Sequence, residues 1–399
     1  MSMTMTSKRT AFGAVSAAAV SALILAGCTS TNVSEGSDGG EGDERSNLTA
    51  DIASGTFGTT DQFGSIEDFC PEGAEEMTLG VVDGGGLNSW SKTVLAEIES
   101  EAARCDAITS VEYVAGRFDL EATTSGITSL AAKGTDIILV VPTAGPGEAH
   151  LPAMRQAVSA GSYVVAIASD PQGAAGTDFL DYADWSTEFV GESWGGWAVD
   201  VLGDEGGNVV FLGGPAGNLV STQQFTGVQT ALSSAPQVTL LNDEPIATNW
   251  DPAEAQQVMA GLLGQGEQID AIIIDYGAVA AGVIRAYEAA GISVPPIATT
   301  DDNSLSCGFE TLKADNPTYE LATVSSRTWV GRIGLRKAVA AFQGLSNSEA
   351  SFIELPIFED SAGIVDGALA PNEACLPDSP PDATPSTLLT ADEIAALFS

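Results

Sequence analysis

The chain has 399 residues, 44% of them hydrophobic and 17% charged, enough for two cores of roughly 150 residues each plus tails. Its 14 Lys and Arg stand against 54 Asp and Glu, a formal charge of −40. Such a surface repels phosphate backbones and excludes nucleic-acid binding. A single histidine, His150, cannot supply a multi-histidine metal site and leaves one candidate for a Ser-His-Asp triad.

At the N-terminus, Lys8 and Arg9 precede a small, apolar run from Ala11 to Ala26. The run is short for a membrane span and has the flanks of a secretory signal. It ends in Leu25-Ala26-Gly27-Cys28, which resembles the bacterial lipobox, in which the cysteine becomes the lipidated first residue. Residues 1–27 are therefore expected to be a lipoprotein signal peptide and Cys28 the lipidation site. From Thr29 to about Gln62 the sequence is rich in Ser, Thr, Gly, Asp and Glu. Such a stretch buries too little apolar surface to order itself, and residues 28–62 are predicted to be a flexible tether. Setting Cys28 aside leaves Cys70, Cys105, Cys307 and Cys375. An even number in an exported chain implies two disulfides, with three possible connectivities.

The body alternates strand and helix. Buried strands are predicted at Thr78–Val82, Val111–Val114, Ile137–Val141 and Tyr163–Ala168, with helices at Asn88–Cys105, Asp119–Lys133 and Gly147–Ala160 between them. Continuous apolar runs separated by helical patterns indicate a parallel sheet covered on both faces. The rhythm restarts near Asp184, with strands at Asn208–Leu212, Val238–Leu241, Ala271–Ile274 and Ile297–Thr300. Helices follow near Leu219–Ser233, Pro252–Leu263 and Val279–Ala290. Asp251-Pro252-Ala253-Glu254 carries an N-cap Asp, Pro at N1 and Glu at N3, a strong helix start. The fold class is thus α/β, with two doubly wound parallel-sheet lobes. Strand Leu321–Val324, helix Val330–Phe342 and strand Phe352–Phe358 come last and read as the pieces that cross back between lobes. The first lobe is expected to comprise 63–183 plus about 325–350, the second 184–324 plus about 351–375. Residues 376–399, with four prolines and a capping-box spacing at Thr390–Glu393, are expected to form an extended strap ending in a docked helical turn. Hinges are predicted near Ala183–Asp184, Ser325–Ser326 and Ala350–Ser351.

In open α/β sheets, ligands bind beyond the carboxyl ends of the strands. Asp83, Asp170, Asp275 and Asp301 all follow predicted strands, Trp90 opens the first helix, and Trp250 precedes the N-cap Asp251. One such Asp alone reads as a turn or helix cap, but carboxylates with two aromatics make a polyol site. Asp accepts bonds from paired hydroxyls, and an indole face covers the C–H face of a sugar. Trp194 and Trp197, which flank Gly195 and Gly196 in a helical run, read as packing. Gly84-Gly85-Gly86 lacks the third glycine of a dinucleotide loop, and no acidic residue ends the second strand. Asp301-Asp302-Asn303 lacks the spacing of a calcium loop. No metal and no cofactor are expected.

At this point the chain resembles the type I periplasmic (solute-)binding protein family, in its ribose/galactose-like group, over about Met77 to Phe358. The carriers are Thr78–Val82 followed by Asn88-Ser89-Trp90, then Ala131–Leu139, Val165–Asp170 and Gly282–Ala286. The resemblance implies two lobes joined by three crossovers with a sugar closed between them. It implies ligand-contact roles for Asn88, Trp90, Asp170, Trp250, Tyr276 and Asp301; Asp83 and Asp275, from the strand-end rule, and Gln223 and Arg327, at departures from the family pattern, are secondary candidates. Two departures stand out: the family's Asp-Arg pair after the fourth strand is Asp170-Pro171, and the basic residue expected after Gly213–Gly217 is replaced by Thr222-Gln223. Both put ribose itself in doubt, and Arg327 is the substitute for one lost cation. The implied protein is a monomeric, non-enzymatic lipoprotein, anchored on the outer face of the cell membrane, that carries a small neutral sugar or polyol to the permease of an ABC importer. A receptor that signals to a membrane kinase and an extracellular carbohydrate-active enzyme are the alternatives. Cys70–Cys105 is the expected first disulfide, since Cys70 leads into the first strand and Cys105 ends the helix returning beside it. Cys307–Cys375 is the second, tying the strap to the lobe it crosses.

Overall fold

The computed structural model describes residues 47–86 and 88–397. The signal segment, Cys28 and the first part of the expected tether lie outside the described residues. Two sheets form the body. The first has seven strands, all parallel, in the order Phe57–Gly58, Phe352–Ile353, Asp181–Trp185, Tyr163–Ile167, Ile137–Val141, Met77–Asp83 and Ile108–Ala115. The second runs Ile357–Asp360, Leu321–Val324, Ile297–Thr300, Ala271–Ile274, Gly207–Gly213 and Val238–Leu240, with Ile246–Ala247 added beside Gly207–Gly213. It is parallel except at its edge, where Ile357–Asp360 runs antiparallel to Leu321–Val324. The central strands are buried along their whole length, as sheets covered by helices on both faces require. Helix starts are capped by their own sequence: Asn88, Asp119, Asn218, Asp251 and Asp302 each accept a backbone N–H of the first turn, offsetting donors that have no partner within the helix.

The chain passes between lobes at three places: at Ser186, across Ser325–Trp329, and at Glu354–Pro356. The predicted single strand Phe352–Phe358 is two strands in different sheets. Pro356, which lacks an N–H, sits in the break, so the third crossing falls after Ala350–Ser351. The strand Asp181–Trp185, unforeseen because its sequence carries two acids, completes the first sheet. Helix Gly147–Ala160 begins as a 3-10 turn, Gly147–His150.

The tether prediction is corrected in its second half, because Asn47–Gln62 lies on the first lobe. Asn47 Nδ2 donates to the carbonyls of Val158 and Ser162, both at 2.8 Å. Phe57–Gly58 pairs with Phe352–Ile353, and Lys337 Nζ donates to the Ala53 carbonyl at 2.6 Å. Backbone pairing and a buried cation, neither visible in composition, dock this polar stretch. Lys337 belongs to helix Val330–Phe342, which is buried from Val330 through Ala341. Its charges are therefore paired: Arg332 with Glu97 and Glu101, Arg336 with Glu101 and Glu349, and Lys337 with Asp181. Several of the chain's few cations thus hold internal partners.

Disulfides join Cys70 to Cys105 and Cys307 to Cys375, with Cα atoms 5.7 and 4.8 Å apart. After Cys375 the chain crosses from the second lobe to the first. Asn303 Nδ2 donates to the Leu376 carbonyl at 2.9 Å, the Ser386 N–H donates to Asp301 at 2.6 Å, and the Leu388 N–H donates to Glu97 at 2.7 Å. A short helix, Ala391–Leu397, follows, with Ile394 buried.

Candidate functional site

Strand ends from both sheets meet at one small cavity of about 70 Å³. From the first lobe come Asp83, which ends Met77–Asp83, Asn88 and Trp90 at the start of helix Ser89–Ala102, and Phe118 and Thr143 after the next two strands. The second lobe supplies Trp250, Asp275 and Tyr276, and the crossing at Ser325–Trp329 supplies Arg327.

The two carboxylates are buried and held from behind. The Gly85 N–H donates to Asp83 Oδ1 at 2.8 Å and the Tyr113 hydroxyl to Oδ2 at 3.3 Å. Burial pushes the Asp83 carboxyl up, while these donors and Ser91 pull it down. Asp275 Oδ2 accepts from the Gly214 N–H at 2.9 Å and the Ser221 hydroxyl at 2.6 Å, and Oδ1 accepts from Trp250 Nε1 at 3.1 Å. Burial still raises its carboxyl to about 6. Tyr276 lies in the same wall; burial raises its phenol, an effect opposed by the Ser89 hydroxyl of the other lobe.

Arg327 is the cation of the site. Nε donates to Asp184 Oδ1 at 2.6 Å and Nη2 to the Ala168 carbonyl at 2.9 Å. Its guanidinium carbon lies 3.8 Å from the ring centre of Trp185 and 5.7 Å from that of Trp90. Trp90 Nε1 donates to the Ser326 carbonyl at 2.8 Å, leaving the indole edge anchored at the crossing. Among the lining residues named here, two acids are thus set against one cation already paired to Asp184. The cavity offers acceptors and ring faces to hydroxyls and C–H groups, and does not welcome a further negative charge.

Of the residues singled out from sequence, Asp83, Asn88, Trp90, Trp250, Asp275, Tyr276 and Arg327 meet at this cavity. Asn88 does so while its Oδ1 caps the helix through the Ser91 N–H at 2.9 Å. Asp170 and Gln223 line a separate cavity of about 430 Å³ beside Tyr182 and Trp185. Asp170 turns back to accept the Gln172 N–H of its own loop at 2.7 Å. Asp301 lines neither cavity. Its carboxylate takes the N–H groups of Ser326 and Ser386, both at 2.6 Å, and is 4% exposed under the strap. The opposed carboxylates at the cleft are therefore Asp83 and Asp275, not Asp170 and Asp301. Sequence reasoning missed Phe118, Thr143 and Ala168, although the strand-end rule, applied to the second and third strands, points to the first two. It also missed Asp184 as the partner of Arg327. Trp194 and Trp197 are core residues, with Nε1 atoms donating to the Thr299 carbonyl and to Asp360, both at 3.0 Å.

The sequence matches the periplasmic binding protein domain over residues 80–344. The chain belongs to this family. Among curated relatives of this periplasmic binding protein, the D-allose-binding periplasmic protein of Escherichia coli is 32% identical over 102 residues, 26% of this chain and 32% of that protein. The xylitol-binding protein of Mycolicibacterium smegmatis is 27% identical over 187 residues, 46% of this chain and 50% of that protein. The chain thus spans a third to a half of the length of these relatives. Solved structures share the fold. An ABC transporter solute-binding protein from Mycobacterium smegmatis with bound glycerol aligns with a TM-score of 0.61 at 18% identity, covering 71% of this chain and 93% of that one. One from Actinobacillus succinogenes with bound D-allose gives 0.61 at 18% identity, over 71% and 97%. The XylFII–LytSN complex gives 0.61 at 15% identity, over 71% and 97%. Among the described residues, no helix of this periplasmic binding protein is long and apolar enough to cross a membrane.

Proposed function

We propose that this chain is an extracytoplasmic receptor, not an enzyme, that captures a small neutral sugar or polyol between its lobes and delivers it to an ABC importer. The observation that carries the reading is the pair of buried carboxylates, Asp83 and Asp275, presented by strand ends of different lobes to one aromatic-walled cavity. A polyol spanning both would bind the closed arrangement better than the open one, the differential affinity that closure needs. Asp83, Asn88, Trp90, Trp250, Asp275, Tyr276 and Arg327 are the proposed contacts. The small cavity favours short polyols and single sugar units, in keeping with relatives named for D-allose and xylitol. Cys28 is the proposed lipid anchor, holding a monomer at the membrane. A second reading, a receptor that presents its closed form to a membrane kinase, is favoured by the likeness to a chain of the XylFII–LytSN complex. A thermal-shift screen over glycerol, xylitol, pentoses, hexoses and inositols tests the ligand class. A ligand at about 100 times its Kd adds about 2.7 kcal/mol. Silence across all of them, with a shift from amino acids or organic acids, would overturn the sugar reading.

A further inference from the structure

Two aromatic rings meet across the mouth of the cleft, each on backbone that side chains rarely adopt. Arg117 and Phe118, on the first lobe, have φ of 56° and 59°, and Asn249 and Trp250, on the second, have 52° and 53°. Such consecutive left-handed residues persist only where their surroundings over-determine them. Here they do. The N–H groups of Gly116, Arg117 and Phe118 donate to the carbonyls of Asp83, Gly85 and Gly84 at 2.6, 2.9 and 2.7 Å. Opposite, the Thr248 N–H and hydroxyl both donate to the Gly213 carbonyl, at 2.9 and 2.7 Å. Each ring is thereby laid on a glycine. A Cβ at Gly85 would come 3.3 Å from Phe118 Cζ, and one at Gly214 would come 2.2 Å from Trp250 Cε2. The ring centres of Phe118 and Trp250 are 6.4 Å apart.

Phe118 stands between two spaces. Inside lies the 70 Å³ cavity; outside lies a groove of about 540 Å³, and Phe118 and Thr143 line both. Pro146 of the first lobe and Pro215, Asn218, Asn249 and Glu254 of the second form the other walls of the groove. Proline faces, amides and a carboxylate suit a neutral, hydroxylated unit; an anion would meet Glu254. Phe118 is 45% exposed, so its ring supports no core. Trp250, by contrast, is tied to Asp275.

We propose that Phe118 is the specificity gate of this receptor: it limits the ligand to one small sugar or polyol unit by screening the inner cavity from an outer groove that would hold a second unit. The inference rests on the cleft being the sugar or polyol site. Its test is calorimetric titration of the full chain and of Phe118→Ala with xylitol, pentoses and hexoses, and with disaccharides built from the hexoses. The wild type should bind at least one single-unit ligand and discriminate against disaccharides by 100-fold or more. Phe118→Ala should narrow that gap at least tenfold. Phe118→Gly, which suits a φ of 59° better, should do the same and keeps the test available if the alanine variant folds poorly. Single-unit binding with an unchanged gap in both variants, or wild-type binding of disaccharides as tight as of single units, would overturn the gate while leaving the cleft reading intact. Absence of any neutral sugar or polyol binding by the wild type would overturn both.

Discussion

Replacing Arg327 by Met removes the cation that joins two of the three crossings between lobes. Asp184 is the penultimate residue of the strand before the first crossing, and Arg327 lies in the second. Their bond is 2.6 Å long, with Asp184 fully buried and Arg327 at 8% exposure. After the substitution, Asp184 keeps the Tyr182 hydroxyl at 2.7 Å and the Trp185 N–H at 2.9 Å, but no countercharge. Breaking one side of a buried pair costs about 3–5 kcal/mol. An unfolding entropy of about 2.1 cal/mol/K per residue, over roughly 350 ordered residues, converts this to a drop of about 4–7 °C in the ligand-free melting temperature. Asp184→Asn should relieve the orphaned charge, so the double variant should recover about 1–3 kcal/mol relative to the sum of the singles. Urea unfolding of the wild type, both singles and the double measures this directly. If Arg327→Met costs under about 1 kcal/mol, or the two changes simply add, the pair does not hold the crossings together and the reasoning fails.

Gly214→Ala puts a methyl group where the Trp250 indole lies. Displacing the ring should weaken ligand binding about tenfold while the fold survives, and equal titration isotherms for variant and wild type would refute this. Burial holds the carboxyls of Asp275 and Asp302 at about 6 and Glu359 at about 7. Folded values above the unfolded ones mean that the stabilisation is full below pH 4 and is lost as pH rises through 6 to 7. The ligand-free melting temperature should therefore fall from pH 5 to pH 8, and Asp275→Asn should flatten the lower part of that curve; a rise with pH would contradict the burial argument. Glu67 and Glu393, held at about 2, act oppositely but only below pH 4.5, and solvent screens them. Ending the chain after Cys375 keeps both disulfides but removes the strap's bonds to Asp301 and Glu97. Amide exchange should quicken in 325–329 and in helix Ser89–Ala102; unchanged exchange would mean the strap carries no load.

Much of the fold was legible because burial on both faces leaves a local mark. Ile137–Val141, Ala271–Ile274 and Ile297–Thr300 coincide with the predicted strands, as continuous apolar runs must when helices cover both sides. The cap at Asp251 was readable for the same local reason. Residues whose partners lie far along the chain were not. Asn47–Gln62 looks like a solvated tether until a buried lysine at position 337 and a strand at 352–353 claim it. Asp181–Trp185 carries acids because Lys337 and Arg327 answer them. At the site, sequence determined which residues stand at strand ends, and hence that acids and indoles would gather at the cleft. Only the tertiary structure decided which of them face it. Asp301 is drawn under the strap by an N–H 85 residues away, Asp170 is turned aside by its own loop, and Phe118 is brought over the mouth by three backbone bonds to the neighbouring strand end. Side-chain direction at a strand end follows from whichever loop or lobe supplies the nearest hydrogen-bond partner, and that partner is set by the packing of the two lobes.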